Sequence, residues 1–193
     1  MLSTNLKNKK ILITAGPTWV PIDNVRIISN LATGETGILL AKEAKRLGAK
    51  VTLLQGPIAF AELRDKIKRE LRFKKYDVII HSAAVSDFRL LRKIKGKLDS
   101  GRAYNLSLAP LPKISRDIKR LGRQAKLVIF KLEPGLSDKN LIRKAMLLQF
   151  KAEAQIVVAN RLNPYRAFII NQNAKAIPVR TKQELVKKLL KII

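Results

Sequence analysis

The run KKILITA at residues 9–15, closed by Gly16 and Pro17, sets the fold class of this chain. It is a short aliphatic and β-branched stretch with no polar alternation, and a glycine-proline turn ends it, which is the pattern of a buried strand. Working outward, Ile38, Leu39, Ala41, Ala44 and Leu47 keep near-helical spacing over residues 35–47, and Gly48 is a natural helix stop. Residues 50–54 predict a second strand, 60–75 a heavily charged amphipathic helix, and 76–80 a third strand. Strand, helix, strand, helix, strand implies an α/β, Rossmann-like, doubly wound and mainly parallel sheet with helices on both faces. Residues 92–108 interrupt the rhythm with Ser100 and Gly101 and an alternating stretch at 104–108, which predicts a β-hairpin arm projecting from the domain. The alternation resumes with a helix at 112–121, a strand at 126–131, a helix at 138–151 and a strand at 155–159. Short strands at 167–171 and 176–179 precede a last helix marked by Leu185, Val186, Leu189, Leu190 and Ile193. With no linker or repeat, residues 1–193 read as a single domain.

Forty Lys and Arg stand against fourteen Asp and Glu, a formal net charge of +26, while a hydrophobic fraction of 47% is enough for a core. Such a field attracts phosphate-bearing partners, so nonspecific nucleic-acid binding is expected from residues 64–75, 89–97 and 113–126. The aromatic fraction is 5% and no basic-aromatic RNA motif is present, which disfavours a dedicated nucleic-acid role. Cysteine is absent and His81 is the sole histidine. Disulfides, thiolate metal sites, cysteine nucleophiles and multi-histidine metal sites are therefore excluded. No apolar run approaches the roughly 18 residues that span a bilayer, and the start, MLSTNLKNKK, has no apolar leader stretch, so the expectation is a cytoplasmic protein without a membrane partner.

Open parallel sheets bind ligands at the carboxyl ends of their strands. After the first strand a dinucleotide fold places G-x-G-x-x-G directly into the helix, but here about twenty residues separate Ala15 from it, and Leu54, Gln55 and Gly56 offer no ribose-binding acid. An NAD-dependent enzyme is disfavoured. Ser29, Asn30, Thr33 and Gly34 sit at the start of the first helix, where free N–H groups and the dipole favour an anion. The plainer alternative makes Thr33 an N-cap and Gly34 and Gly37 packing residues. After the third strand come His81, Ser82, Ala83, Ala84, Val85, Ser86 and Asp87. Small residues there let a ligand approach the backbone, and Asp87 can accept hydrogen bonds or help hold a metal. A lone histidine at a strand end is more often structural than catalytic.

The stretch ILITAGPT at 11–18, VRIISN at 25–30, AAVSD at 83–87 and VAN at 158–160 resemble the phosphopantothenoylcysteine synthetases, the phosphopantothenate-cysteine ligases of coenzyme A biosynthesis. The likeness runs in order from about residue 10 to residue 190. It implies activation of the 4'-phosphopantothenate carboxylate by a nucleoside triphosphate with Mg²⁺, an acyl-nucleotide intermediate, pyrophosphate release and amide formation with cysteine. By motif, Asn30 matches the asparagine that contacts the acyl group. Gly16, Pro17, Thr18, Ala83, Ala84 and Asp87 match nucleotide-site loops, and Phe130 matches an aromatic near the base, although a core role fits it equally. Thr33, Gly34 and Asn160 fall on the substrate side. Lys93, with Lys97 as the alternative register, matches a nucleotide-contacting lysine on an arm that crosses to a second subunit, which implies a homodimer.

The chain departs from the bifunctional bacterial pattern at Leu111, Pro112, Lys113 and Ile114, of which the resemblance still assigns Pro112, Lys113 and Ile114 to the nucleotide site, and again at residues 129–134; in both it looks like the free-standing branch, which includes CTP users and ATP users. Lys151 is the retained member of a lysine pair whose other place is taken by Leu148, and the loop between Arg161 and Arg166 is short. These departures keep a second reading open, a nucleotide-binding relative with impaired catalysis. No metal ligands are assigned.

Overall fold

The computed structural model describes residues 5–193; the first four residues of the expected domain lie outside the described part. Twelve strands and five helices follow one another among these residues. The order is β1 (Lys10–Ala15), β2 (Thr18–Pro21), β3 (Ile27–Ser29), α1 (Glu35–Arg46), β4 (Lys50–Gln55), β5 (Ile58–Ala59) and α2 (Phe60–Phe73). Then come β6 (Val78–His81), β7 (Phe88–Leu90), β8 (Leu108–Pro110), α3 (Ile114–Leu121), β9 (Lys126–Leu132) and α4 (Asp138–Ala152). The chain closes with β10 (Ile156–Arg161), β11 (Arg166–Ile170), β12 (Ala176–Val179) and α5 (Lys182–Ile192).

Seven strands form one sheet in the order β12-β11-β10-β9-β6-β1-β4. Five of them, β4, β1, β6, β9 and β10, are parallel, and β11 and β12 close the edge antiparallel. Taken in chain order, the parallel strands run 2-1-3-4-5, so the direction of winding reverses between β1 and β6. That reversal opens a crevice above the carboxyl ends of those two strands.

Alternation in the strands sends successive side chains to opposite faces. Ile11, Ile13, Val78, Ile80 and Val128 pack under α1 and α5 with Leu40, Ala44, Leu185 and Leu189. Leu12, Ile79, Leu127 and Ile129 pack under α2, α3 and α4 with Leu63, Ile67, Ile118 and Leu141. Each such aliphatic side chain removed from water contributes about 1.5–3 kcal/mol. Two of the later helices carry side-chain caps: Ser137 accepts from the Asn140 N–H and Thr181 from the Glu184 N–H.

Three features differ from the sequence expectation. Residues 18–21, 27–29 and 58–59 form a small additional sheet, β3-β2-β5, where a loop was expected. The helices at 112 and 60 are shorter than expected, because Lys113 and Lys74 adopt extended backbone and cap α3 and α2. The hairpin pairing falls outside 92–107: Phe88 faces Pro110, Arg89 faces Ala109 and Leu90 faces Leu108. Residues 101–108 are exposed, so their alternation has no face to bury. Instead, the arm bonds to the β2–β3 turn, with the Asn24 N–H on Gly96 O at 3.1 Å and the Leu98 N–H on Asp23 Oδ2 at 2.9 Å.

Candidate active site at the strand crossover

Two loops build the crevice. Beyond β1, the Ala84 N–H bonds to Gly16 O at 2.9 Å and the Thr18 N–H to Ala84 O at 3.1 Å, so the β1 and β6 loops extend the sheet for one more step. Thr18 and Ser86 lock this step: the Ser86 N–H donates to Thr18 Oγ1 at 2.7 Å, and the Ser86 hydroxyl donates to Thr18 O at 2.9 Å. Asn30 closes it from above, its side-chain amide donating to Ala84 O at 3.1 Å and Val85 O at 3.0 Å. Two carbonyl acceptors fix which end of the amide is nitrogen, and Oδ1 is left as the free group.

Helix α1 starts against this floor. Gly34 has φ +77°, and a Cβ there would lie 2.8 Å from Gly16 N and 2.9 Å from Gly16 Cα. At Gly37 a Cβ would meet Ala15 Cβ at 2.5 Å and Ser82 Oγ at 2.6 Å. The bare backbone therefore brings the helix N-terminus onto the strand end, where free N–H groups face the cleft. Gly34→Ala is expected to destabilise by about 1–3 kcal/mol, from the left-handed backbone and the contact with Gly16, and to displace the helix start. Denaturant unfolding at wild-type stability would show that this close approach is not required.

The cleft encloses about 1640 Å³. Small-molecule sites are commonly about 300–1,000 Å³, so it has room for two ligands side by side. Gly16, Asn30, Thr33, Gly34, Ala83 and Ala84 line one wall and floor. Asp87, Lys113, Phe130, Lys151 and Asn160 line the rest, with Asp87 ion-paired to Lys113. Six residues singled out by motif do not line it. Thr18 is buried against Ser86, Ile114 lies in the core under α3, and Pro17 and Pro112 shape the turns before Thr18 and α3. Lys93 and Lys97 sit on the arm, away from this chain's cleft.

Motif reading missed the cationic wall. Arg116, Lys119, Arg120 and Arg123 recur at i, i+3, i+4 and i+7 along α3 and just past it, and all four line the cleft with Lys113. The signal was helical spacing of like charges, hidden in a chain rich in lysine and arginine. Glu153 and Asp117 pair with Lys119 and Arg120. Among the described residues no carboxylate lies within ion-pair distance of Arg116, Arg123 or Lys151. Lys182, paired with Glu35, and Tyr165 stand at the α1 side. Burial, with the Glu35 charge, pushes the Tyr165 hydroxyl up to about 12.

Burial pushes the His81 imidazole down to about 4. The unfolded chain protonates near 6.5 while the fold stays neutral, so stability falls as pH drops from about 6.5 to about 4 and is then flat for this group. The loss is expected to reach roughly 3 kcal/mol. Denaturation of wild type and His81→Gln across that window checks it, and parallel curves would sink it.

The domain is a doubly wound α/β fold with a cationic cleft at its strand crossover, and such a field attracts phosphate-bearing ligands. The chain belongs to the DNA/pantothenate metabolism flavoprotein C-terminal domain family, whose profile matches residues 6–193. It is 37% identical over 204 residues to the coenzyme A biosynthesis bifunctional protein CoaBC of Thermococcus kodakarensis, covering 96% of this chain and 51% of that protein. With the CoaBC of Borreliella burgdorferi it shares 35% identity, covering 97% and 53%. The chain thus spans about half the length of these curated relatives. A solved C-terminal domain of CoaBC superposes with a TM-score of 0.80 at 25% identity, covering 98% and 96%. A Cab2 mutant in complex with phosphopantothenate-cysteine shares the fold, with a TM-score of 0.78 at 22% identity, covering 95% and 85%. No helix among the described residues is long and apolar enough to cross a membrane.

Proposed function

We propose that this chain is a phosphopantothenate-cysteine ligase that uses CTP or ATP. The observation that carries the reading is the double-width cleft, with Asn30 and the α1 N-terminus on one side and the α3 and α4 cations on the other. A carboxylate is a poor acyl donor, and joining it to a phosphate creates a leaving group. The 4'-phosphopantothenate carboxylate attacks the α-phosphorus and pyrophosphate leaves. The cysteine amine then attacks the acyl carbon, the nucleoside monophosphate leaves and the amide forms.

The chain's part is to hold two anions together and stabilise charge on the phosphates. Lys113, Arg116, Arg123 and Lys151 serve the triphosphate, with Gly16, Ala83 and Ala84 as the backbone floor and Phe130 toward the base. Asn30, Thr33, Gly34 and Asn160 serve the acyl substrate. Among the described residues no cluster of three carboxylate or histidine ligands exists. This donor set fits Mg²⁺ brought on the phosphates, with Asp87 as its protein carboxylate and charge neutralisation as its contribution. Incubation with phosphopantothenate, cysteine, Mg²⁺ and either nucleotide should release pyrophosphate. No turnover with either would overturn the reading, and the better substrate decides the base.

A homodimer completes the site. The arm exposes Phe88, Leu91, Tyr104, Leu106 and Leu108, apolar groups a partner surface would cover, and it carries Lys93 away from its own cleft. Asn30→Ala and Lys93→Ala homodimers should each be inactive, and mixing them after subunit exchange should restore turnover. Absence of complementation would remove Lys93 from a role across subunits.

A further inference from the structure

Thr14 lies beside His81 in the register of β1 and β6, and it is wholly buried. Its hydroxyl proton therefore needs an acceptor inside the protein. Oγ1 already accepts the Ala83 N–H at 3.2 Å, and its other neighbour is His81 Nδ1 at 2.8 Å. If Nδ1 carried the imidazole proton, Oγ1 would face two donors and its own proton would have no acceptor. A buried donor left without an acceptor keeps the full cost of its desolvation. If the hydroxyl donates to Nδ1, Thr14 Oγ1, its proton and Nδ1 are all paired, and the ring proton sits on Nε2.

Among the described residues nothing pairs with Nε2. Nor is that nitrogen sealed in the interior, since the buried side-chain atoms without a hydrogen bond are Asp138 Oδ1 and Tyr165 Oη. His81 lines the cleft, and strand alternation puts it on the same sheet face as Ile79, the face covered by α2, α3 and α4. Its low proton affinity keeps the ring neutral at pH 7, so the donor is directional and carries no charge.

We propose that His81 presents a fixed Nε2–H donor to an oxygen of the nucleoside triphosphate at the cleft floor, and that Thr14 is the positioning residue that selects this tautomer. The ligand half rests on the ligase reading; the tautomer half does not. The α3 cations attract phosphate over several ångströms from the cleft wall, and a hydrogen bond from a ring locked in the strand end orients one oxygen at its floor.

Because His81 is the sole histidine, a ¹⁵N spectrum of untagged protein contains one imidazole. The expected result is a neutral Nε2–H tautomer between pH 7 and pH 5 that persists in Thr14→Ser and gives way to tautomer exchange in Thr14→Val. An Nδ1–H tautomer or a charged ring in wild type overturns the proposal. Titration with CTP or ATP should shift the Nε2 resonance; a shift with neither removes the ligand half, whatever the pyrophosphate assay shows. A shift without turnover fails the ligase reading instead and leaves this site standing. In the active enzyme, His81→Phe should raise the nucleotide KM about 10-fold or more, as for a lost bond to a charged group. His81→Gln, which retains an N–H donor, should recover most of that loss. Equal KM in both variants and wild type would overturn the assignment.

Discussion

Asn30→Ala should lower pyrophosphate release at least about 100-fold, the scale on which a positioned amide acts on a developing charge, while leaving the fold intact. The two halves of this expectation have separate causes. Asn30 is exposed and its amide bonds only to the Ala84 and Val85 carbonyls, which water can serve in its absence, so the stability cost is small. The catalytic cost is large because the same amide stands where the α1 wall meets the nucleotide floor. Both of its protons are engaged by the Ala84 and Val85 carbonyls, so donating to the acyl oxygen requires the side chain to turn away from the β6 loop. Substrate binding and release of that loop are then one event. Circular dichroism and initial rates on the same preparation separate fold from chemistry. A variant with near wild-type rates would remove Asn30 from the mechanism.

Asp23→Ala should free the arm. The Asp23 carboxylate accepts from the Val25 N–H at 2.8 Å, the Arg26 N–H and guanidinium at 2.6 Å each, and the Leu98 N–H at 2.9 Å. The Leu98 amide is the largest of the influences that hold this carboxyl well below the usual carboxylate range. A folded-state affinity below the unfolded one makes this contribution full above about pH 4 and lost as pH falls further. Removing the carboxylate leaves three amides without their acceptor and the Arg26 guanidinium with only the Leu98 carbonyl, at 3.2 Å. Amide exchange at Leu98 and Val25 should quicken on the order of 100-fold or more, as several hydrogen bonds to a charge are lost together. Exchange in α1 and β1 should be unchanged. Unaltered protection at Leu98 would show that the arm is held by other contacts.

The strands β1 and β6 were legible because burial leaves short aliphatic runs, the half-buried edge strand β4 kept Val51, Leu53 and Leu54, and Gly48 marked the end of α1. The β3-β2-β5 sheet was not legible, since strands of four, three and two residues leave no periodicity and Thr18 pairs with Ile58 forty positions on. Motifs pointed to Asn30 and Gly34, although Asn30 bonds to residues 54 and 55 positions on and Gly34 packs against Gly16. They did not separate Thr18, which braces the floor from within, from residues that face a ligand. The Thr14–His81 contact joins residues 67 positions apart and depends on strand order, so the sequence left His81 as a structural histidine.

The basic stripe of α3 also sets a kinetic trade. From Lys113 to Arg123 it runs roughly 15 Å along the cleft at the helical rise. On the proposed ligase reading, a triphosphate diffusing past is drawn along that rail, so its arrival rate should decline as salt is raised. The pyrophosphate released on that reading carries most of the same negative charge and departs against the same attraction, so raising salt should slow capture and speed product exit together.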